Sequence, residues 1–242
     1  MIAYIFIIAV AFYLVYLASK SRSKDTEIIV GQKKEIKMIG ERIQEVLDAE
    51  KIEKKVEREH KTVISEAKEL AGNKRLKQAE KKYLSIIKKD HNNAKAYQGL
   101  GEIYLVQGEY EGAAEVFKKV SELDPTNDMA FNNLGMALMQ TKKYSDAVTA
   151  FERSVALNSK ISHRYINLAL AAEKAGDVKK QIAALEQAVI LEPEKTEYLE
   201  VLASVAIESG DKSAAKDALE KIIEKDPDNL EAHRKLARLD QK

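Results

Sequence analysis

The chain has 242 residues, of which 33% are charged and 45% hydrophobic, with no cysteine and a formal net charge of +1. Without cysteine, disulfides and thiolate metal sites are excluded, which fits a reducing compartment without establishing one. The near-neutral total hides an uneven distribution: residues 20–93 hold 20 Lys and Arg against 14 Asp and Glu, and the remainder holds 20 against 25.

The first 18 residues, MIAYIFIIAVAFYLVYLA, carry no charged side chain. As a helix rising ~1.5 Å per residue this run measures about 27 Å, near the lower limit for crossing a hydrocarbon core, and Ser19 extends it. Tyr13 and Tyr16 suit the interface, where amphipathic rings are favoured. A cleavable signal peptide requires a basic n-region, a shorter apolar run and small residues at a cleavage site, and none is present. Residues 1–19 are therefore expected to form an uncleaved transmembrane anchor. Lys20, Arg22 and Lys24 follow it while only the terminal amine precedes it. The positive-inside rule then predicts a single-pass membrane protein with its N-terminus outside and the rest cytoplasmic.

Residues 20–72 read as a charged helical neck. Ile29, Ile36, Ile39, Ile43 and Val46, then Ile52, Val56, Val63 and Leu70, recur at helical spacing, but the two sets do not share one heptad phase. The change of phase falls around Asp48 to Ile52, and Gly31 and Gly40 weaken the first half, so a long regular coiled coil does not follow. Two readings stay open: a solvated helical neck, or a short coiled coil that makes the protein a homo-oligomer. The densest basic cluster follows, with Lys74, Arg75, Lys77, Lys81, Lys82, Lys88 and Lys89. It reads as a solvated helix face, with contact to anionic lipid as the alternative. No nucleic-acid-reading module accompanies it, so nucleic acid is not an expected partner.

From Ala94 onward the sequence repeats. Pro125, Pro193 and Pro227 are the only prolines and share one phase of a 34-residue period. Laid out at that period, the first register reads Tyr97, Leu100-Gly101, Tyr104, Gly108, Ala113, Phe117, Val120 and Pro125. The second reads Phe131, Leu134-Gly135, Leu138, Tyr144, Ala147, Phe151 and Ser154, with Ser159 at the proline phase. The third keeps Tyr165, Leu168-Ala169, Ala172, Gly176, Leu185, Ala188 and Pro193, but sets Gln181 where a small residue lets two helices touch. The fourth has Leu199, Leu202-Ala203, Ala206, Gly210, Ala215, Leu219, Ile222 and Pro227. Large apolar residues fill the seam of a helical hairpin, small ones permit close approach, and glycine or proline ends each helix. Ser159 and Gln181 predict a less regular centre.

This pattern resembles the tetratricopeptide repeat (TPR) family. The expected fold is all-α: a TPR α-solenoid behind the neck and anchor. It comprises a degenerate repeat at residues 60–93, full repeats at 94–127, 128–161, 162–195 and 196–229, and a capping helix at 230–241. Such hairpins bury their apolar faces by stacking on neighbours.

The resemblance implies that the first helix of each repeat lines a concave groove for a protein or peptide partner. The groove residues it selects are Gln98, Glu102, Leu105, Met129, Asn132, Asn133, Met136, Met139, Ile166, Asn167 and Leu170. Methionine adapts to irregular partners, so the apolar members among these suit an apolar or helical segment. The competing reading is that Leu105, Val106 and Leu170 merely pack between hairpins. The basic clamp by which some family members hold a chain terminus is missing, since Gln98, Glu102, Asn133, His163 and Asn167 occupy its positions.

No catalytic constellation is expected. His60, His91, His163 and His233 are far apart and lack metal-ligand spacing, so no metal or cofactor is expected. Ser21-x-x-Lys24 and Ser213-x-x-Lys216 lack the companion motifs of a hydrolase. The sequence therefore reads as a non-enzymatic, membrane-anchored scaffold. An assembly or quality-control adaptor of an envelope enzyme, and a self-associating structural protein, are the alternatives.

Overall fold

A computed structural model describes residues 26–239. The expected anchor, residues 1–19, lies outside the described residues. Among those described, no helix is long and apolar enough to cross a membrane. The described residues form eleven α-helices and no strand. They fall into two compact units that divide between Thr62 and Val63.

Helix α1 spans Thr26–Gly72 and runs unbroken through Gly31, Gly40 and the segment Asp48 to Ile52, where the heptad phase shifts. Neighbouring charges support it: Gln44 Nε2 donates to Asp48 at 3.1 Å, and Lys51 and Lys61 pair with Asp48 and Glu57 at 3.2 and 2.7 Å. Each such pair adds only a few tenths of a kcal/mol, on the order of 0.2–0.5, but several along one helix offset the cost of glycine.

Ten shorter helices follow as α2 (Leu76–Lys89), α3 (Ala94–Gln107), α4 (Tyr110–Leu123), α5 (Asp128–Gln140), α6 (Tyr144–Leu157), α7 (Ser162–Ala175), α8 (Val178–Leu191), α9 (Thr196–Ser209), α10 (Lys212–Lys225) and α11 (Leu230–Leu239). The odd members α3 to α11 begin at 34-residue intervals. Each packs on the helix before and after it, so the unit grows by stacking hairpins.

Chain reversals recur at the same period. Within two residues of the end of each first helix the chain adopts a left-handed conformation, at Lys74, Gly108, Lys142, Gly176 and Gly210, with φ of 59 to 79°. Glycine reaches this region without a Cβ clash, whereas the two lysines hold it at a cost. At the other end, the Asn93, Asn127 and Asn229 side chains cap α3, α5 and α11 by accepting from the amides of Ala96, Ala130 and Ala232, each at 3.0 Å. Ile161 and Lys195 stand at the same phase before α7 and α9 and provide no side-chain cap.

The centre is regular where Ser159 and Gln181 predicted otherwise. Helix α6 ends at Leu157 with Asn158 as its C-cap, the phase at which α4, α8 and α10 end before prolines. The proline follows a helix that its cap has already ended, so serine suffices. Gln181 is buried within α8, and α7 and α8 still pack together as a hairpin.

The core is the hairpin seam. Tyr83, Phe117 and Phe151 are its largest fully buried side chains, each stabilising the fold by about 1.5–3 kcal/mol through burial. Both phenylalanines lie against glycines of the preceding helix: a Cβ on Gly101 would stand 2.8 Å from Phe117, and one on Gly135 2.7 Å from Phe151.

Candidate functional site

First helices touch one another across repeats, α3 with α5 and α5 with α7, while their second helices make at most marginal contact with each other. Elements that approach more closely on one side place that side inward. The inner surface of this stretch is therefore built by α3, α5 and α7.

On that surface lies a pocket of about 350 Å³, lined by Leu105 of α3, Met136, Met139 and Gln140 of α5, and Asn167 and Leu170 of α7, with Tyr110 and Phe151 from second helices. No lining residue is charged. Met136 is 42% and Leu170 46% exposed, and Val106 beside Leu105 is 72% exposed, so these three do not merely pack between hairpins. The other apolar members are shared with the core: Leu105 packs against the cluster around Phe117, and Met139 and Ile166 against the cluster around Phe151.

The remaining groove positions form a polar row beside the pocket. Asn167 Nδ2 donates to Asn132 Oδ1 at 3.2 Å, and Asn132 Nδ2 donates to Asn133 Oδ1 at 3.4 Å and to Met136 Sδ at 3.5 Å. Asn132 is itself buried, so it braces Asn167 from beneath. Gln98 is held by its own surroundings, donating to Glu102 at 3.1 Å and accepting from Asn127 at 3.4 Å. Met129 is exposed but does not line the pocket. The structure thus brings Leu105, Met136, Met139, Asn167 and Leu170 together, and leaves Gln98, Glu102, Met129, Asn132, Asn133 and Ile166 outside the lining. Tyr110 and Phe151 escaped the sequence reading because the repeat phases select first-helix positions only.

One junction fixes α5 relative to α7. Arg164 Nη1 donates to Asp128 Oδ2 at 2.5 Å, Asn158 Nδ2 donates to the same oxygen at 2.8 Å, and Ser154 Oγ donates to the Asp128 carbonyl at 2.8 Å. The Arg164 side chain is 6% exposed. Burial alone pushes the Asp128 carboxyl up, but the hydrogen bonds from Arg164 and Asn158, with the guanidinium charge, outweigh it and hold the carboxyl below its ordinary value. Ser162 makes the matching contact one repeat later, donating to Glu192.

Chemically the pocket offers thioethers, aliphatic groups, two amides and a phenol. It suits an apolar side chain flanked by a hydrogen-bonding backbone, and contains neither a paired acid and base nor an activated nucleophile. Among the described residues no group of three or more His, Asp and Glu is placed to hold a metal ion.

Stacked two-helix units of this period, with their glycine turns and inner first helices, define a helical repeat scaffold. A family model described as TPR repeat matches residues 101–142, and two described as tetratricopeptide repeat match residues 132–196 and 196–239. The chain belongs to the tetratricopeptide repeat family.

Solved structures share the fold. A crystal structure of MamA protein superposes with a TM-score of 0.62 at 24% identity, covering 69% of this chain and 92% of that one. MamA from Desulfovibrio magneticus RS-1 gives 0.59 at 24%, covering 71% and 97%. YrrB, described as a TPR protein with an unusual peptide-binding site, gives 0.59 at 22%, covering 71% and 89%. No curated protein matches the sequence.

Proposed function

We propose that this chain is a non-enzymatic scaffold, anchored through residues 1–19 with its repeats in the cytoplasm. It binds an apolar or helical segment of a partner protein on the inner surface of α3, α5 and α7, and so recruits or assembles that partner at the membrane. The observation that carries this reading is the uncharged pocket with two exposed apolar rims, Met136 and Leu170, around a braced Asn167. An exposed apolar patch beside pre-positioned amides is the chemistry of peptide capture, the apolar part supplying affinity and the amides orientation. YrrB, with a peptide-binding site on the same fold, supports it by analogy. The test is photo-crosslinking in cells from position 136, and from position 170 with and without Met136→Glu; the same crosslinked products from position 170 in both would refute the groove.

A specific observation favours self-association as the second reading. Met38, Val46, Ile52 and Val56 of α1 are exposed. An apolar stripe on a long helix is what a second copy would cover. A reporter fused after Lys242 tests the orientation independently, since activity restricted to an exported compartment would reverse it.

A further inference from the structure

Helix α2 is amphipathic in an unusual sense. One face buries Ala79, Tyr83 and Ile86. The opposite face exposes Lys77, Lys81, Leu84 and Lys88, spaced so that they form one stripe along the helix. From Lys74 to Asp90 there are seven cations and only two acids, Glu80 and Asp90. Lys82 pairs with Glu66 at 2.5 Å, but the other six cations form no ion pair among the described residues. Concentrated like charge of this kind costs folding energy through repulsion, and a packed helix holds it in place rather than letting it disperse.

We propose that this face of α2 docks on an anionic lipid surface. Lysines held on a rigid helix are attracted to such a surface additively, and their long stems let the ammonium groups reach headgroup phosphates. Leu84 decides between membrane and nucleic acid. It is 42% exposed in the middle of the lysine stripe, where a headgroup–acyl boundary takes an aliphatic side chain and a phosphodiester backbone does not. The charge-free run at residues 1–18 independently suits a chain that works at a bilayer.

The chain has no cysteine, so Leu84→Cys accepts a single environment-sensitive fluorophore. The full chain, reconstituted in zwitterionic nanodiscs, is titrated with vesicles of pure phosphatidylcholine or of phosphatidylcholine with phosphatidylglycerol, and with a DNA duplex. The expected result is a blue shift and protection from acrylamide with phosphatidylglycerol vesicles alone, reversed by salt as charges are screened. The combined Lys77→Gln, Lys81→Gln and Lys88→Gln variant, with an unchanged unfolding midpoint, is expected to need about 100-fold more anionic lipid. Equal response to both vesicle types, or equal binding by that variant, would overturn the proposal. A response to duplex that exceeds the response to anionic vesicles would assign the face to nucleic acid and overturn it as well.

Discussion

Gly135 on α5 and Phe151 on α6 meet so closely that a Cβ on the glycine would stand 2.7 Å from the phenyl ring. Gly101 and Phe117 make the same pair one repeat earlier. In the third and fourth repeats, alanine at the glycine phase goes with leucine at the phenylalanine phase: Ala169 with Leu185, and Ala203 with Leu219, all in one core cluster. The seam keeps its filled volume by trading size between facing helices. Gly135→Ala is therefore expected to destabilise the repeats by about 1–3 kcal/mol, because the buried Phe151 ring must shift from its packed position to admit the new Cβ. Adding Phe151→Leu should recover part of that loss. Urea unfolding of the two single variants and the double variant checks the coupling, and strict additivity would contradict it.

Two departures from the repeat pattern are correctable. Lys142 holds a φ of 59° where three other repeats use glycine, so Lys142→Gly is expected to stabilise by about 1 kcal/mol. Ile161 stands where Asn93, Asn127 and Asn229 cap their helices, and its extended backbone already suits a cap. Ile161→Asn is expected to add about 0.5–1 kcal/mol. Calorimetric midpoints test both, each rising by roughly 2–4 °C per kcal/mol.

The Asp128 carboxyl is held low by Arg164 and Asn158 against the opposing effect of burial. A carboxylate depressed on folding stabilises above its unfolded value of about 3.9, and that contribution disappears as pH falls through the folded value. Asp128→Asn is expected to cost about 1–3 kcal/mol at pH 7, with wild type and variant converging below about pH 4. Urea midpoints at pH 7, 5 and 3 provide the check. A difference that stays constant with pH would mean that the carboxylate charge is irrelevant.

The repeats were legible because packing imposes a period on residue types. Tyr97, Gly101, Ala113 and Phe117 announce one hairpin, and the next 34 residues repeat it. The asparagine caps were equally periodic and went unread, since cap residues at Asn93, Asn127 and Asn229 skip two repeats. The Asp128–Arg164 junction was invisible for another reason: its partners are 36 residues apart and match no repeat signature. The inner surface was legible by phase at Leu105, Met136 and Leu170. The phase could not tell that Met139 and Ile166 share their surface with the core, because burial is set by the neighbouring hairpin.

Helix α1 separates two readings of the molecule. If its exposed Val46, Ile52 and Val56 are a solvated face, a chain beginning at residue 25 sediments as a monomer, which is the expected outcome. If they are an interface, it sediments as an oligomer that Val46→Ser with Ile52→Ser disperses.

The central claim is that a partner binds the inner surface of α3, α5 and α7. Its most direct measurement places a photo-crosslinker in turn at Met136, at Leu170 and, as an outer control, at Ile190, which is 65% exposed. The expected result is a discrete protein product from the first two positions only, lost when Met136→Glu is combined with the crosslinker at 170 while the unfolding midpoint is unchanged. The same product from Ile190, or a product at 170 that survives Met136→Glu, would contradict it.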